Sequence, residues 1–453
     1  MDWKNENQLD PEQVKELLDR VIDKNGKPTD TIKCTISNFV HIFKNDRYFR
    51  NVCYDTMREA PILIKDLHSR RLWVDKDFSR TRLYIEQTYN LTGKDKLNDA
   101  FNVVCSEREY SPVQEIIKSV KWDGIKRCEE FFIKWAKAPD DNYSRECGRL
   151  FFAQGIARAF APGAKCDYVV VMYGDQGAAK STLVSWLAID DDFYLCIRSI
   201  DGKDPLQQLC GKWIVEIAEL LATTKGSSDE QVKQFISNQI DNFRQPYAHY
   251  PVDHKRSCIF LGTTNKPKFL SDPTGNRRWF PLENNQDGNY LFDHEQECKA
   301  DILQCWAEMY EYWKSGSEQA NTYPNRNMMK LIEARQEAAE TDDPDLGIIE
   351  EYLKFKEKVC LKEVIEKALH YDYQKLRKSD KDEISTKLTG KRLGCKLKMN
   401  KAGDKPSPEK FGEYGSQQAY YVPDRLWHYK EAEENTAPSE PIPVQVDDEE
   451  LPW

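Results

Sequence analysis

The residues with the clearest chemical meaning lie between positions 174 and 182. An apolar stretch, Tyr168–Tyr173, runs into a turn with two glycines and then into a helical pattern. A strand, a glycine-rich turn and a helix in this order are the context of a phosphate-binding loop, whose N–H groups and helix N-terminus converge on phosphate. We expect nucleotide to contact all nine loop residues: Gly174, Asp175, Gln176, Gly177, Ala178, Ala179, Lys180, Ser181 and Thr182.

Two side chains of this loop predict ATP and Mg²⁺ as the cofactors. Lys180 would reach the β- and γ-phosphates, and the Ser181 hydroxyl would be a ligand of Mg²⁺. The loop departs from the pattern G-x-x-x-x-G-K-S/T at one position, since Ala179 stands where the second glycine belongs. Alanine keeps the geometry only if its φ is negative. A fortuitous loop with a lysine is the alternative, and the flanking strand and helix argue against it.

A second apolar strand, Lys212–Leu220, carries two glutamates. Glu216 occupies the position where the second motif of such ATPases usually has Asp, and Glu219 follows one turn later. One carboxylate would hold the Mg²⁺ water shell and the other would polarise the attacking water. We predict Glu216 as a metal ligand with Ser181 and both glutamates as catalytic. The spacing does not assign the two tasks, and two plain surface glutamates are the alternative.

A third apolar stretch, Ser257–Gly262, is followed by polar residues ending at Asn265. A polar side chain at the tip of this strand would orient the hydrolytic water, which predicts a catalytic role for Asn265. Arg277 and Arg278 follow in a turn. Their position after the third motif favours an arginine finger that acts on the phosphate of a neighbouring subunit. An ordinary solvated arginine pair is the alternative.

Length and composition indicate the class of protein and the number of domains that surround these motifs. A chain of 453 residues with 40% hydrophobic and 31% charged residues predicts a globular protein of two or three domains. The sequence has no apolar run of membrane-spanning length and does not start with a secretory signal pattern. The 13 cysteines are odd in number and form no C-x-x-C pair, so most should be free, buried thiols. We therefore expect a cytoplasmic address and no membrane partner.

Four segments are predicted along the chain. Residues 1–110 read as a mostly helical accessory domain, whose first helix has Asp10 as its cap and apolar residues on one face as far as Ile22. Residues 111–335 carry the motifs and should form an α/β core. Residues 345–430 read as three helices and a hairpin, the order of a winged-helix domain. Residues 431–453 are rich in proline and acids and should be disordered.

The motif strings resemble those of a known family. WDGIKR (Trp122–Arg127), GDQGAAKST, WIVEIAEL, FRQPYAHY (Phe243–Tyr250), FLGTTN and DPTGNRRWFPL are similar to the virulence-associated protein E family of phage, prophage and pathogenicity-island proteins. The resemblance covers about residues 110 to 290, in the same order and spacing. It implies an AAA+-like P-loop core related to superfamily 3 helicases, a hexameric ring, and sites between subunits. The family usually has Gly at the position of Ala179, which puts the turnover rate in question.

Some family members also carry a primase–polymerase domain. The first 110 residues are too few for such a domain and lack its acidic pair, so we expect a form that is a helicase alone.

Two basic regions are predicted to bind single- and double-stranded DNA. In superfamily 3 motors, a hairpin between the second and third motifs grips DNA in the ring, and cations beside aromatic rings suit single strands. The residues in that interval are Arg244, Tyr247, His249, His254, Lys255 and Arg256. Residues 351–430 hold 19 Lys and Arg against 12 Asp and Glu, which favours duplex binding. The candidates there are Lys387, Lys391, Arg392, Lys396, Lys398 and Lys401.

The acidic balance of the chain is mostly a property of its last segment. Eight acids and no Lys or Arg follow Lys430, and removing them from the formal charge of −10 leaves −2. The closing run, Asp447-Asp-Glu-Glu-Leu-Pro-Trp453, resembles the acidic tip of bacterial single-stranded-DNA-binding proteins, with Trp where that tip has Phe. Docking on host replication proteins, folding back onto the basic module, and a merely solubilising tail all stay open.

The motifs favour an ATP-dependent DNA helicase of a mobile element that unwinds DNA as a homo-oligomeric ring during replication. An AAA+ loader or regulator that hydrolyses ATP on DNA without unwinding is the alternative. A nucleotide-binding structural protein that turns nothing over is a third interpretation.

Overall fold

A computed structural model describes residues 8–67, 69–200, 204–218, 229–244, 250–270, 276–340, 343–390, 392–400, 403 and 405–427. The chain divides into two compact units. The first comprises Met1–Phe269 and Arg277–Ala339, and the second comprises Leu270–Asn276 and Glu340–Trp453. The boundary expected near residue 110 lies inside the first unit and stays a prediction.

The N-terminal part of the first unit combines helices with two small sheets. Its elements are α1 (Pro11–Glu16), β1 (Arg20–Ile22), β2 (Pro28–Ile32), α2 (Ile36–Asn45), β3 (Val52–Asp55), β4 (Ala60–Ile64), β5 (Arg70–Leu72), α3 (Asp75–Tyr89), α4 (Lys94–Glu107) and β6 (Glu109–Tyr110). β1 pairs with β2, and the other sheet has the order β5-β4-β3-β6. The region therefore combines helices with short strands, and more of its residues lie in helices than in strands.

The start of α1 was predicted correctly and its end was not. Asp10 N–H donates to Gln13 Oε1 at 3.0 Å, as a capping box requires. The helix stops at Glu16 because the buried Asn38 side chain binds the backbone that follows. Asn38 Oδ1 accepts from Asp19 N–H, and Asn38 Nδ2 donates to Asp19 O, both at 2.9 Å. Ile22 consequently lies on an exposed strand.

The central part of the first unit is built on a five-stranded parallel sheet of order β13-β7-β12-β9-β8. Its elements are α5 (Pro112–Ser119), α6 (Phe131–Trp135), α7 (Asn142–Phe160), β7 (Val169–Tyr173), α8 (Lys180–Leu187), β8 (Tyr194–Ile197), α9 (Asp204–Gln208), β9 (Ile214–Ala218), α10 (Asp229–Ser237), β10 (Ile240–Phe243), β11 (Val252–Lys255), β12 (Ile259–Thr264), β13 (Trp279–Glu283), α11 (Asn289–Asp293), α12 (Glu295–Lys314) and α13 (Met329–Ala338).

The sheet is parallel because its strands are apolar on both faces. All of β12 and the first four residues of β7 are buried, which is typical of strands covered by helices on either side. Trp135, Trp213 and Trp306 are fully buried in the main core cluster of this unit. In a parallel sheet the carboxyl ends of the strands share one edge. The segments that follow β7, β9 and β12 therefore lie close together.

The second unit has its own small core. Its elements are α14 (Pro344–Leu353), β14 (Lys358–Cys360), α15 (Leu361–Glu363) continued by a π-helical turn (Val364–Ala368), α16 (Lys378–Thr389), β15 (Lys396–Leu397), β16 (Pro408–Phe411), β17 (Gly415–Tyr421) and α17 (Asp424–Trp427). The sheet order is β14-β17-β15, and β16 also pairs with β17.

The three predicted helices of this unit are present as α14, α15 with its π-helical turn, and α16. The hairpin strands were predicted at residues 395–400 and 418–422. β15 and β17, which lie there, pair antiparallel with Leu397 opposite Tyr420, so the predicted strands do meet. The interpretation as a simple two-stranded hairpin was wrong, because β16 lies between them in sequence and β14 also pairs with β17.

The structure also bears on the predictions made for the cysteines and for membrane-spanning segments. All thirteen cysteines are free, and ten of them are buried, which confirms the expected free thiols. Among the described residues, no helix combines the length and the apolar character needed to cross a bilayer.

Candidate active site

A cavity of about 820 Å³ opens at the carboxyl edge of the parallel sheet. It brings together residues from the loop after β7 and from the strands and strand ends of β8, β9 and β12. The lining residues are Gln176, Gly177, Ala178, Ala179, Lys180, Ser181, Thr182, Tyr194, Cys196, Arg198, Glu216, Ala218, Thr263, Thr264, Asn265 and Phe292. Gly174 and Asp175 lie at the base of the same loop.

The loop between β7 and α8 is held tightly from one side. A Cβ on Gly174 would come within 2.2 Å of Asn284 O, and one on Gly288 within 2.5 Å of Gly177 O. Asn284 Nδ2 also donates to Ala178 O at 3.1 Å. The segment after β13 thus supports the loop, and only glycine fits at positions 174 and 288.

Ala179 does not have the backbone geometry that its side chain prefers. Its φ is 50° and its ψ is 27°, in the left-handed region. The condition of a negative φ, under which alanine would replace glycine without cost, is therefore not met. The left-handed conformation is unfavourable for an L-residue because Cβ approaches the following carbonyl oxygen. The loop consequently carries strain at the residue just before Lys180.

Replacing Ala179 by glycine should relieve this strain. We expect Ala179→Gly to raise the free energy of unfolding by about 0.5–1 kcal/mol, the left-handed penalty less the extra entropy of an unfolded glycine. Ala178→Gly is the matched control, because Ala178 is buried and does not have a positive φ. It should lower the free energy of unfolding instead. Urea titration of both variants checks the opposite signs, and equal signs would contradict a strained Ala179.

Lys180 closes the base of the loop. It is buried, and its Nζ donates to Gly174 O at 2.8 Å, to Asp175 O at 2.7 Å and to Asn265 Oδ1 at 2.9 Å. Lys180 therefore links the loop after β7 to the tip of β12. The lysine and Asn265, which the sequence placed 85 positions apart, meet at one point of the cavity.

Glu216 is the most enclosed acid of the site, with none of its surface exposed. Its Oε1 accepts hydrogen bonds from Ser181 Oγ and Thr263 Oγ1, each at 2.6 Å. Its Oε2 accepts from the Tyr194 hydroxyl. Burial of Tyr194 and its bond to this carboxylate raise the pKa of the phenol. Three hydroxyl donors thus stabilise a carboxylate deep in the cavity.

Tyr194 and Thr263 were not anticipated from the sequence. Their register gives the reason for their position: Glu216 lies opposite Cys196 on β8 and Leu261 on β12. Side chains two residues away on the neighbouring strands share its face. Alternate residues of β8, namely Tyr194, Cys196 and Arg198, all line the cavity. This alternation could have predicted the position of Tyr194, but only if the pairing of β8 with β9 had been known.

The oxygen ligands present suit Mg²⁺ held largely by phosphate and water. Ser181 Oγ and the Glu216 carboxylate lie 2.6 Å apart, and hard oxygen ligands of this kind are what Mg²⁺ prefers. Among the described residues, no group of three or more His, Cys, Asp or Glu side chains could hold a metal by itself. The second predicted glutamate, Glu219, lies outside the described residues.

Arg277 and Arg278 do not line the cavity. They precede β13, at the amino end of a strand whose carboxyl end faces the loop after β7. Arg278 Nε donates to Ser237 Oγ at 2.9 Å and is 4.0 Å from Asp167, whereas Arg277 is exposed. The two arginines lie at the opposite edge of the sheet, so neither reaches the cavity of its own chain.

The residues expected to contact DNA between the second and third motifs differ in solvent exposure. Arg244 and Lys255 are exposed. His254 and Arg256 are buried, and this placement contradicts direct contact with DNA. His254 Nδ1 lies 2.6 Å from Glu59 Oε2, and Arg256 Nε donates to Asp241 Oδ2 at 2.5 Å.

The two remaining expected contacts in that interval, Tyr247 and His249, lie outside the described residues.

The cationic stripe of the second unit is partly neutralised by its own carboxylates. Lys387 lies 2.8 Å from Asp343, Arg392 Nε donates to Glu350 at 3.0 Å, and Lys398 pairs with Glu409. Lys396 is exposed, and Lys391 and Lys401 lie outside the described residues. The positive balance of this unit is therefore smaller at its surface than the sequence count indicates.

Comparison with known proteins finds a family model that matches the region of the site. The model of the virulence-associated protein E-like domain matches residues 117–341. The chain is similar to the apo structure of the NrS-1 C-terminal region, with 15% identity, 82% of this chain and 96% of that chain covered, and a TM-score of 0.44. The A form apo structure of that region gives 15% identity, the same coverage and a TM-score of 0.42. No curated protein matches the chain.

Proposed function

Because residues 117–341 match the model of the virulence-associated protein E-like domain, we propose that this protein is an ATP-dependent DNA helicase. It would serve the replication of a phage or another mobile element. The observation that carries the proposal is the convergence of Lys180, Ser181, Glu216 and Asn265 on one cavity. Those four residue types in that arrangement suit the hydrolysis of a nucleoside triphosphate.

The sheet supports an AAA+-like P-loop core for this proposal. The loop before α8 follows β7, a central strand, and the acid Glu216 lies on β9, with β12 between them. Phosphate at the loop would therefore sit between the helix N-terminus of α8 and the tips of two other strands. The sheet order and helix order of the second unit likewise support a winged-helix module.

The residues of the cavity have separable tasks in this mechanism. Lys180 would exchange its loop carbonyl partners for the β- and γ-phosphates, which stabilises charge that develops on the transferring group. Ser181 and Glu216 would hold Mg²⁺, which, when bound, neutralises phosphate charge. Asn265, already in contact with Lys180, would orient the attacking water. Glu216 or Glu219 would polarise that water.

Tyr194, which also lines the cavity, would set the orientation of Glu216 through its hydroxyl. The Tyr194→Phe variant removes this hydroxyl and leaves Oε2 of the buried Glu216 carboxylate without its hydrogen-bond donor. We expect the Mg²⁺ concentration for half-maximal hydrolysis to rise, and kcat to fall, by about 10–100-fold, as for other groups that orient a metal ligand. Tyr290→Phe, on α11 outside the cavity lining, is the matched control and should change neither value. An unchanged Mg²⁺ dependence in Tyr194→Phe would argue against Glu216 as the ligand.

The proposed DNA contacts assume that the helicase is a homohexameric ring with DNA in its centre. In a homohexamer the exposed Arg244 and Lys255 would face the strand that passes through the centre, together with Tyr247 and His249. Lys396 would contribute to duplex binding by the second unit. These contacts are cationic and would therefore weaken with salt.

Stimulation of hydrolysis by single-stranded DNA tests this proposal. We expect phosphate release from ATP and Mg²⁺ to rise when a single-stranded oligonucleotide is added, and an Arg244→Glu/Lys255→Glu variant to lose the rise while keeping basal hydrolysis. ATP binding without turnover, with or without DNA, would instead indicate a structural nucleotide site.

A further inference from the structure

An apolar groove lies on the second unit. It has a volume of about 650 Å³, in the range of cavities that enclose small ligands or side-chain clusters. One wall is α14 and the segment after it, and the other is the π-helical turn. The residues that define it are Ile348, Tyr352, Phe355, Lys356, Lys367 and Ala368.

The groove keeps large apolar side chains in contact with solvent. Ile348 is 47% exposed and Phe355 is 55% exposed, although Ile349 beside them is fully buried in the core of the unit. Gly347 adds to the open space, because a Cβ built on it would meet nothing within 4 Å. A helix that presents this much apolar surface fits a partner that covers it.

Two lysines and one glutamate lie on the rim of the groove, namely Lys356, Lys367 and Glu351. Lys356 lies 2.9 Å from Glu363 and over the Tyr352 ring, and Lys367 lies 2.9 Å from Glu413. Lys367 and Glu413 are both exposed, so their ion pair contributes little free energy and the Lys367 ammonium can turn to another carboxylate. Lys356 stays paired with the buried Glu363. A partner with apolar side chains next to several acids would match this surface.

The chain itself contains such a segment. Asp447, Asp448, Glu449 and Glu450 are followed directly by Leu451-Pro-Trp453. We propose that this segment, Asp447–Trp453, docks in the groove of its own chain, with Leu451 and Trp453 on the apolar floor and the acids along the lysine rim. The indole would pack on Tyr352 and Phe355, since aromatic rings favour edge-to-face and offset contacts.

The place where the described chain ends favours docking within one molecule. Leu426, on α17, packs on the same core as Leu346 and Tyr352 of α14. α17, the last described helix, also contacts α14, which forms one wall of the groove. Nineteen residues separate Trp427 from Asp447, and they can span up to about 60 Å. A tether of that length gives an effective concentration of about a millimolar, which a separate partner would have to exceed.

Photo-crosslinking in the full chain tests this inference. Benzoylphenylalanine replaces Trp453, the purified protein is irradiated, and the attachment points are mapped by peptide mass spectrometry. We expect cross-links within one chain to residues 344–368. Gly347→Met, which fills the groove with an uncharged side chain on a helix that accepts it, should reduce them at least about tenfold. Met399→Asp, at an exposed apolar residue outside the groove, should not.

Three outcomes overturn the inference. The cross-links are unaffected by Gly347→Met, they form mainly between chains, or they appear only when proteins of a host extract are added. The second outcome would assign the groove to another copy, and the third would assign the segment to a host protein. Circular dichroism of Gly347→Met verifies that the unit stays folded, and the result does not depend on ATP hydrolysis.

Discussion

Lys180→Ala should reduce ATP hydrolysis by at least about 100-fold, the scale expected when a donor to the developing phosphate charge is lost. The lysine is the only cation that the loop itself offers to phosphate among its nine residues. Nζ donates to two loop carbonyls and to Asn265, so the variant should also lose a little thermal stability.

Two controls separate chemistry from stability in this variant. Lys180→Arg keeps the charge, but its planar guanidinium is larger than an ammonium group and fits a different geometry. We expect it to remain folded and still hydrolyse slowly. Lys233→Ala removes another buried lysine of the same unit, on α10, and should leave hydrolysis nearly unchanged. Phosphate release measured beside far-ultraviolet circular dichroism checks all three, and hydrolysis at the wild-type rate in folded Lys180→Ala would remove the assigned site.

Arg277→Ala should abolish turnover while leaving ATP binding intact. An arginine finger is worth about 10³–10⁵ in kcat, because it meets charge that develops only in the transition state. Arg277 is the better candidate since it is exposed, whereas Arg278 is bound to Ser237 within its own chain. Arg278→Ala is therefore the matched control, with a smaller loss of turnover. Fluorescent-nucleotide titration and phosphate release measure the two properties separately.

Mixing variants tests whether the finger acts between subunits. Arg277→Ala subunits keep Lys180, and Lys180→Ala subunits keep Arg277, so an interface of the right order contains both groups. In a random equal mixture about a quarter of the interfaces are complete in a cyclic ring. We expect hydrolysis to reappear in the mixture although each variant alone is inactive. No recovery at any mixing ratio would exclude a finger supplied by another subunit at this position.

The parts of the site that the sequence predicted are those with local signatures. A strand, turn and helix within twenty residues identified Lys180 and Ser181, and the meeting of parallel strand ends brought Glu216 and Asn265 to them. The left-handed φ of Ala179 had no such signature, because residue type alone argued for the opposite conformation. Tyr194 joins Glu216 through cross-strand register, which sequence spacing does not reveal.

The errors share a cause, since each depended on a partner remote in sequence. The sequence alone suggests that Arg256 and His254 are surface groups, because it does not show their partners. In the structure Arg256 binds Asp241, and His254 lies beside Glu59. The first helix was predicted to be longer because the sequence does not show that Asn38 binds the backbone N–H and carbonyl groups of Asp19. Burial with a satisfied partner is a property of the folded chain, and neither periodicity nor charge count contains it.

Strand displacement on a forked duplex tests the central claim most directly, because unwinding and loading share every feature of the ATP site. The substrate carries a fluorophore and a quencher on its paired strands, and the protein is supplied with ATP and Mg²⁺ and no other protein. A helicase separates the strands at a rate that falls to the background in Lys180→Ala. An intact fork, under conditions where single-stranded DNA stimulates ATP hydrolysis, would contradict the helicase assignment and indicate a loader or regulator.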